Sequence, residues 1–188
     1  MVKVSKLPVP PVTIRTRRAY FDCRFGQLHV RTAFPTTGGF DEQATLICLH
    51  AADATSRAFS RLASDLAGVR SVYAPDLPGY GESDSSPTRS AADAALAIAD
   101  LANDLRLRQI DLLGVQYGAE VALTLAAARP ELVRRLVLIG GPAADRSPPA
   151  KQQRLMVDIK AYGDDPSAAA AQTQTLTRQI GSFLSSQP

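Results

Sequence analysis

The chain has 188 residues, of which 45% are hydrophobic and 21% charged, ordinary proportions for a globular domain with a real core. No apolar run approaches the ~20 residues needed to cross a bilayer, and the first residues lack the roughly 7–15-residue apolar core of a secretory signal, so a cytoplasmic protein is expected by elimination. The net charge of +3 is unevenly spread: Lys3, Lys6, Arg15, Arg17 and Arg18 give residues 1–18 a charge of +5, and the remainder carries −2.

Residues 1–18 therefore read as a basic arm broken by Pro8, Pro10 and Pro11. Contact of such an arm with an acidic partner is open on charge alone. A solvated tail is the simpler reading, and neither nucleic acid nor membrane is expected as a partner. Ala19–Phe25 and Gln27–Phe34 form two strands joined tightly at Gly26, with β-favouring Tyr20, Phe21, Val30 and Phe34. Pro35–Gly39 is a turn. Thr45–Leu49 is continuously apolar, as a strand covered on both faces should be. Ser56–Ala67 places Phe59, Leu62, Ala63 and Leu66 at helical spacing. Ser71–Ala74 is a short strand and Asp76–Ser86 a loop rich in Gly, Pro and Ser. Ser90–Leu105 is a helix, Ile110–Val115 a strand, and Tyr117–Ala128 a helix that Arg129-Pro130 ends. Val133–Ile139 is a strand closed by Gly140-Gly141-Pro142.

From Thr45 onward strands alternate with helices, the pattern of a mostly parallel sheet of about six strands with helices on both faces. Ligands of such sheets bind beyond the carboxyl ends of the strands, which directs attention to His50–Asp53, Asp76–Ser86 and Val115–Gly118. Residues 19–146 are the core. Residues 147–188 read as a helical tail, with helices over Ala150–Tyr162 and Ser167–Leu184 and no strand after Val133–Ile139. That leaves Val133–Ile139 as an apolar edge, a site of possible self-association. Cys23 and Cys48 read as reduced, buried thiols. No metal-ligand spacing is present, and no cofactor is expected.

Three segments, each after a strand, carry a resemblance. Leu49-His50-Ala51-Ala52 resembles the His-Gly segment, Asp76-Leu-Pro-Gly79-Tyr-Gly81-Glu-Ser83 the D-x-x-G-x-G-x-S loop, and Gly114-Val115-Gln116-Tyr117-Gly118 the G-x-S-x-G nucleophile elbow of the α/β-hydrolase superfamily. The resemblance covers roughly residues 19–143, the N-terminal two-thirds of that fold. It implies a truncated α/β-hydrolase sheet, with residues 147–188 similar to the start of a cap region. At the elbow, Gly114 and Gly118 remove side chains that the tight turn has no room for, and the central residue takes a positive φ. The family presents a nucleophile there; this chain presents Gln116, whose amide neither ionises near neutral pH nor attacks a carbonyl.

The resemblance also implies a general base after the nucleophile, in the order Ser, acid, His. The two histidines, His29 and His50, both precede Gln116. His29 falls in an early strand, and the histidine at the position of His50 braces the loop in the family. The backbone amides of Ala52 and Tyr117 occupy the positions of the oxyanion donors, although Ala51 stands where the family prefers glycine. Asp53, Gln116 and Tyr117 line the mouth, with Asp53 either a solvated loop residue or a lone base. The Asp76 loop reads as structural, with Glu82 and Asp84 as surface charges.

Three functions follow as expectations. The first is a silent relative of these hydrolases that binds a small carbonyl- or carboxylate-containing ligand or a partner. The second is a hydrolase or lyase that uses an altered elbow, with Asp53 or His50 as acid or base. The third is a truncated remnant. A dinucleotide-binding reading is weaker, since Gly114 and Gly118 do not follow the G-x-G-x-x-G order.

Overall fold

The structure is a computed structural model that describes residues 13–36, 44–140, 153–157 and 166–186, without the side chains of 156–157 and 166–173. Its elements in chain order are β1 (Ile14–Cys23), β2 (Gly26–Pro35), β3 (Thr45–Leu49), a 3-10 turn (Ser56–Phe59) leading into α1 (Ser60–Leu66), β4 (Val72–Pro75), α2 (Ala91–Asp104), β5 (Ile110–Val115), α3 (Tyr117–Ala128), β6 (Val133–Ile139), β7 (Gln153–Val157) and α4 (Pro166–Ser185). They build one sheet in the order β1-β2-β4-β3-β5-β6-β7. The β1/β2 and β2/β4 pairings are antiparallel and the other four are parallel.

The period-two alternation of the strands divides the core between the two faces. Ile47 and Leu49 of β3, Ile110 and Leu112 of β5 and Leu136 and Leu138 of β6 pack on the side of α2 and α3. Leu46 and Cys48, Leu113, and Val137 and Ile139 point the other way, towards α1 and α4. Every residue of β3 is buried, which is why its sequence is an unbroken apolar run. Ser90 caps α2: its hydroxyl accepts the Asp93 N–H at 3.1 Å, and the acidic Asp93 suits the first turn. The helix expected over Ser56–Ala67 is present with a 3-10 first turn.

Two expectations are overturned. The strand expected from Ala19 begins at Ile14, inside the segment read as an arm, because the ten residues of β1 pair in register with all ten of β2. Its arginines conceal it, since a solvent-facing edge strand needs no apolar alternation. The helix expected over Ala150–Tyr162 is broken by β7, seventh in a sheet expected to have about six strands. Gln153–Val157 pairs in parallel with Arg135–Ile139. The hydrogen-bonding groups of an apolar β6 edge demand partners, and that demand overrides local helix propensity. Val133–Ile139 is therefore not the open edge it was expected to be. Helix α4 matches the expectation for Ser167–Leu184, whereas residues 37–39 of the Pro35–Gly39 turn and the Gly141-Pro142 closure lie outside the described residues.

The sheet's lower end, where β5 and β6 begin, is held by charge. Asp111, fully buried, accepts from Arg70 at 2.9 Å and from the Arg134 guanidinium at 2.9 and 2.6 Å. A register shift between β5 and β6 sets Ile110 opposite Val133 and Asp111 opposite Arg135, so Arg134 is the extra residue of a bulge. Arg135 donates to the Leu184 carbonyl at 2.7 Å and to the Ser186 carbonyl, and lies over the Phe183 ring. Cations thus meet the carbonyl end of α4, where the helix dipole favours them.

Candidate functional site

Parallel pairing brings the candidate residues together. Leu49 of β3 is in register with Gly114 of β5, so the segments that follow, 50–53 and 115–118, leave the sheet side by side. Strand β4 flanks β3 on its other side and delivers the Asp76 loop.

Gln116 sits between β5 and α3 with φ 49° and ψ −107°, a region costly for a side-chain-bearing residue, on the order of 1–3 kcal/mol. Packing enforces it. A Cβ on Gly114 would lie 2.3 Å from the Gly118 carbonyl oxygen, and one on Gly118 would lie 2.1 Å from that of Leu49. The Gln116 N–H donates to the Ile139 carbonyl at 2.8 Å, and its own carbonyl accepts from Ala119 and Glu120 at 2.9 and 3.2 Å. The backbone on both sides is therefore fixed, while the Gln116 side chain is exposed.

His50 is fully buried and both ring nitrogens are engaged. Nε2 accepts the Leu77 N–H at 2.9 Å, so the proton resides on Nδ1, which donates to the Ala51 carbonyl at 2.7 Å. A second proton would set N–H against N–H. Burial also lowers the affinity of the ring for that proton, against the opposing pull of the Ala51 carbonyl and the Asp76 charge. His50 thus joins the two loops through both ring nitrogens.

Ala52 and Asp53 are exposed at the turn after His50, where the Ala54 N–H closes onto the Ala51 carbonyl at 3.0 Å. Tyr117 opens α3, the end at which a helix leaves N–H groups without intrahelical partners. Its half-buried ring lies 5.9 Å from that of Tyr80, which meets His50 edge-on at 5.4 Å. Its hydroxyl donates to the Arg89 carbonyl at 3.1 Å, and burial, with the neighbouring Tyr80 and Glu120, pushes its pKa up to about 12. Tyr80 and Arg89 were not singled out by sequence. The tyrosine lies within the glycine loop and only the fold shows that it bridges His50 and Tyr117.

The Asp76 loop is a closed hydrogen-bond network. Asp76 accepts the Ser56 N–H at 2.6 Å and the Glu82 N–H at 3.0 Å, and meets His29 Nδ1 at 2.9 Å. Burial by itself would raise its pKa; the Glu82 and Ser56 donors and His29 outweigh that and hold it below the usual value. The Ser83 hydroxyl donates to the Asp76 carbonyl at 2.7 Å and accepts the His29 N–H at 2.9 Å. Gly81, at φ 55°, has no room for a Cβ, which would lie 2.2 Å from the Asp76 carboxylate. Glu82 and Asp84 are more than surface charges: Glu82 accepts from the Tyr20 hydroxyl at 2.9 Å, and Asp84 accepts the Gln27 N–H at 2.8 Å, pinning the β1–β2 turn.

His29 is buried beside Asp76, and its Nε2 has no hydrogen-bond partner among the described residues. Strand β2 lies three strand spacings from β5, about 14 Å, so His29 is not within proton-transfer reach of Gln116. Among the described residues no group of three or more His, Cys, Asp or Glu side chains is placed to hold a metal, and no helix is long and apolar enough to cross a membrane.

The comparisons with known proteins agree with this geometry. A family model described as the alpha/beta hydrolase fold matches residues 44–179. The 2-hydroxymuconate semialdehyde hydrolase of Pseudomonas sp. (strain CF600) is 42% identical over 81 residues, 40% of this chain and 28% of that protein. The 2-hydroxy-6-oxononadienedioate/2-hydroxy-6-oxononatrienedioate hydrolase 2 of Pseudomonas putida is 31% identical over 132 residues, 66% of this chain and 45% of that protein. The chain thus spans less than half the length of either relative. Among solved structures, carboxylesterase CesB from Bacillus subtilis superposes with a TM-score of 0.59 at 25% identity, covering 66% of this chain and 43% of that one. Naproxen esterase, also from Bacillus subtilis, gives 0.60 at 22% identity, covering 70% and 44%, a likeness of fold.

Proposed function

Since the chain belongs to the α/β-hydrolase-fold family, we propose that it binds a small carbonyl- or carboxylate-containing molecule at the elbow without forming a covalent acyl intermediate. One observation carries the reading: Gln116 occupies the strained, positive-φ position between β5 and α3, and a primary amide supplies no nucleophile there. Two further features support it. Both nitrogens of His50 are engaged, and His29 lies about 14 Å away across the sheet. The ligand class follows from the backbone amides of Ala52 and Tyr117, donors whose function does not depend on side-chain identity. It also fits the names of the two relatives, which contain a semialdehyde and an oxo-dioate.

The test is hydrolysis of p-nitrophenyl acetate by the purified chain, with amide NMR of the ester-bound protein. The expected result is a rate equal to buffer, unchanged in Gln116→Ala, with shifts at the Ala52 and Tyr117 amides. Turnover well above buffer that disappears in Gln116→Ala would favour the rival reading, an enzyme working through an altered elbow. Absence of any shift at those two amides would remove the binding role.

A further inference from the structure

One cleft in the described structure lies away from the elbow. It is a cavity of about 320 Å³ between the β1–β2 ribbon and α1, within the range of sites that hold small molecules. Its apolar lining comes from Ala33, Phe59, Ala63 and Ala74, and its polar lining from arginines and hydroxyl side chains, with no carboxylate among the described residues.

The arginines are set by register. Arg18 of β1 is directly opposite Arg31 of β2, and directly opposed residues of an antiparallel pair share a face, where like charges repel. Thr16 with Ala33 and Tyr20 with His29 form the next rungs on that face. Arg17 belongs to the other face, where its guanidinium lies over the Phe34 ring, so its charge is not directed into the cleft. Arg31 is half-buried, and its Nε is shielded from solvent with no hydrogen-bond partner among the described residues. None of the ion pairs among the described residues uses Arg18 or Arg31. The arginines of β6, Arg134 and Arg135, are by contrast consumed by Asp111 and by carbonyls of the α4 end.

Two opposed cations beside an apolar floor, one with a buried donor unused, have no paired anion among the described residues. We propose that this cleft binds a small organic oxyanion, a phosphate monoester or carboxylate with a compact apolar body. The anion sits between Arg18 and Arg31, and the body rests on Phe59 and Ala63. The hydroxyls of Ser60 and Ser64 already donate to the Arg57 and Ser60 carbonyls at 2.8 and 3.0 Å, so neither is free to donate to the anion. The site is separate from the elbow and does not rest on the binding role assigned there.

The experiment is amide NMR of the full chain at low salt, titrated separately with phenyl phosphate, benzoate, inorganic phosphate and benzyl alcohol. Phenyl phosphate or benzoate should give saturable shifts in Thr16–Arg18, Arg31–Ala33 and Ser56–Ser64, and the tighter of the two identifies the anion. Inorganic phosphate, lacking the body, and benzyl alcohol, lacking the charge, should each bind at least tenfold more weakly. Arg18→Gln and Arg31→Gln should each weaken binding about tenfold, the scale of a charge-assisted hydrogen bond. Because Arg18 is exposed and opposed by a like charge, Arg18→Gln should also raise the low-salt melting temperature of the unliganded chain. This variant keeps the test open should Arg31→Gln not fold. The proposal is overturned by the absence of saturable shifts with both organic anions, by equal binding of benzyl alcohol, by unchanged affinity in Arg18→Gln, or by a lower melting temperature in that variant.

Discussion

The two ends of the sheet use polar groups in opposite ways. At the lower end, Asp111, Arg70 and Arg135 are buried and directed at one another or at the carbonyls that end α4. At the upper end, Gln116, Ala52 and Asp53 are exposed and the backbone is strained. The lower charges are used up in holding the fold, so they are unavailable to solutes. The upper groups are exposed on a backbone fixed by hydrogen bonds and glycine packing. The lesson is that strain and exposure at the elbow are sustained by dense packing below it, where glycines let α3 approach β3 and β5.

The comparison can be broken from either end. The largest effect is expected from Asp111→Ala, which leaves Arg70 and Arg134 uncompensated at the buried end. Loss of one partner of such a cluster costs about 3–5 kcal/mol, read as a fall in the urea midpoint. Gly118→Ala comes next. Its Cβ would meet a backbone carbonyl at 2.1 Å, and overpacking of this kind costs roughly 1–3 kcal/mol or more. The opposite sign is expected for Gln116→Gly, which relieves the positive φ and should stabilise by about 1 kcal/mol; an unchanged urea midpoint would mean that the elbow stores no strain.

A smaller, pH-dependent effect belongs to Asp76. Its folded pKa lies below the unfolded value of 3.8, so its contribution is fully present above about pH 3.8 and is lost as pH falls through the folded value. Wild type and Asp76→Asn should therefore differ in midpoint by a constant amount near neutrality and converge below pH 3.8; a gap that persists in acid would contradict the direction of the shift. The smallest effect is expected from Arg24→Ala, which removes the exposed pair with Asp100 at 2.8 Å. Its shift in midpoint should vanish in 1 M salt, since exposed pairs are screened.

Much of this was legible in the sequence where burial leaves a pattern. Strands β3, β5 and β6 were legible at their observed bounds, β3 as an unbroken apolar run, because residues covered on both faces have few chemical alternatives. Gly114 and Gly118 framed the elbow for the same reason. Strand β1 was misplaced at its start because Arg15, Arg17 and Arg18 sit on a solvent-facing edge. Strand β7 was missed because its pairing with β6 is a tertiary event with little local signature.

By itself, the sequence determined the alternating fold, the elbow turn and the identity of the residue it presents. These depend on side-chain volume, periodicity and functional groups, all of which are written residue by residue. The tertiary structure decided which groups remain available. It engaged both nitrogens of His50, set His29 against Asp76 on a distant strand, covered β6 with β7 and brought Arg18 opposite Arg31. Those outcomes depend on strand order and register, which arise only when segments far apart in the chain satisfy one another's hydrogen bonds and charges.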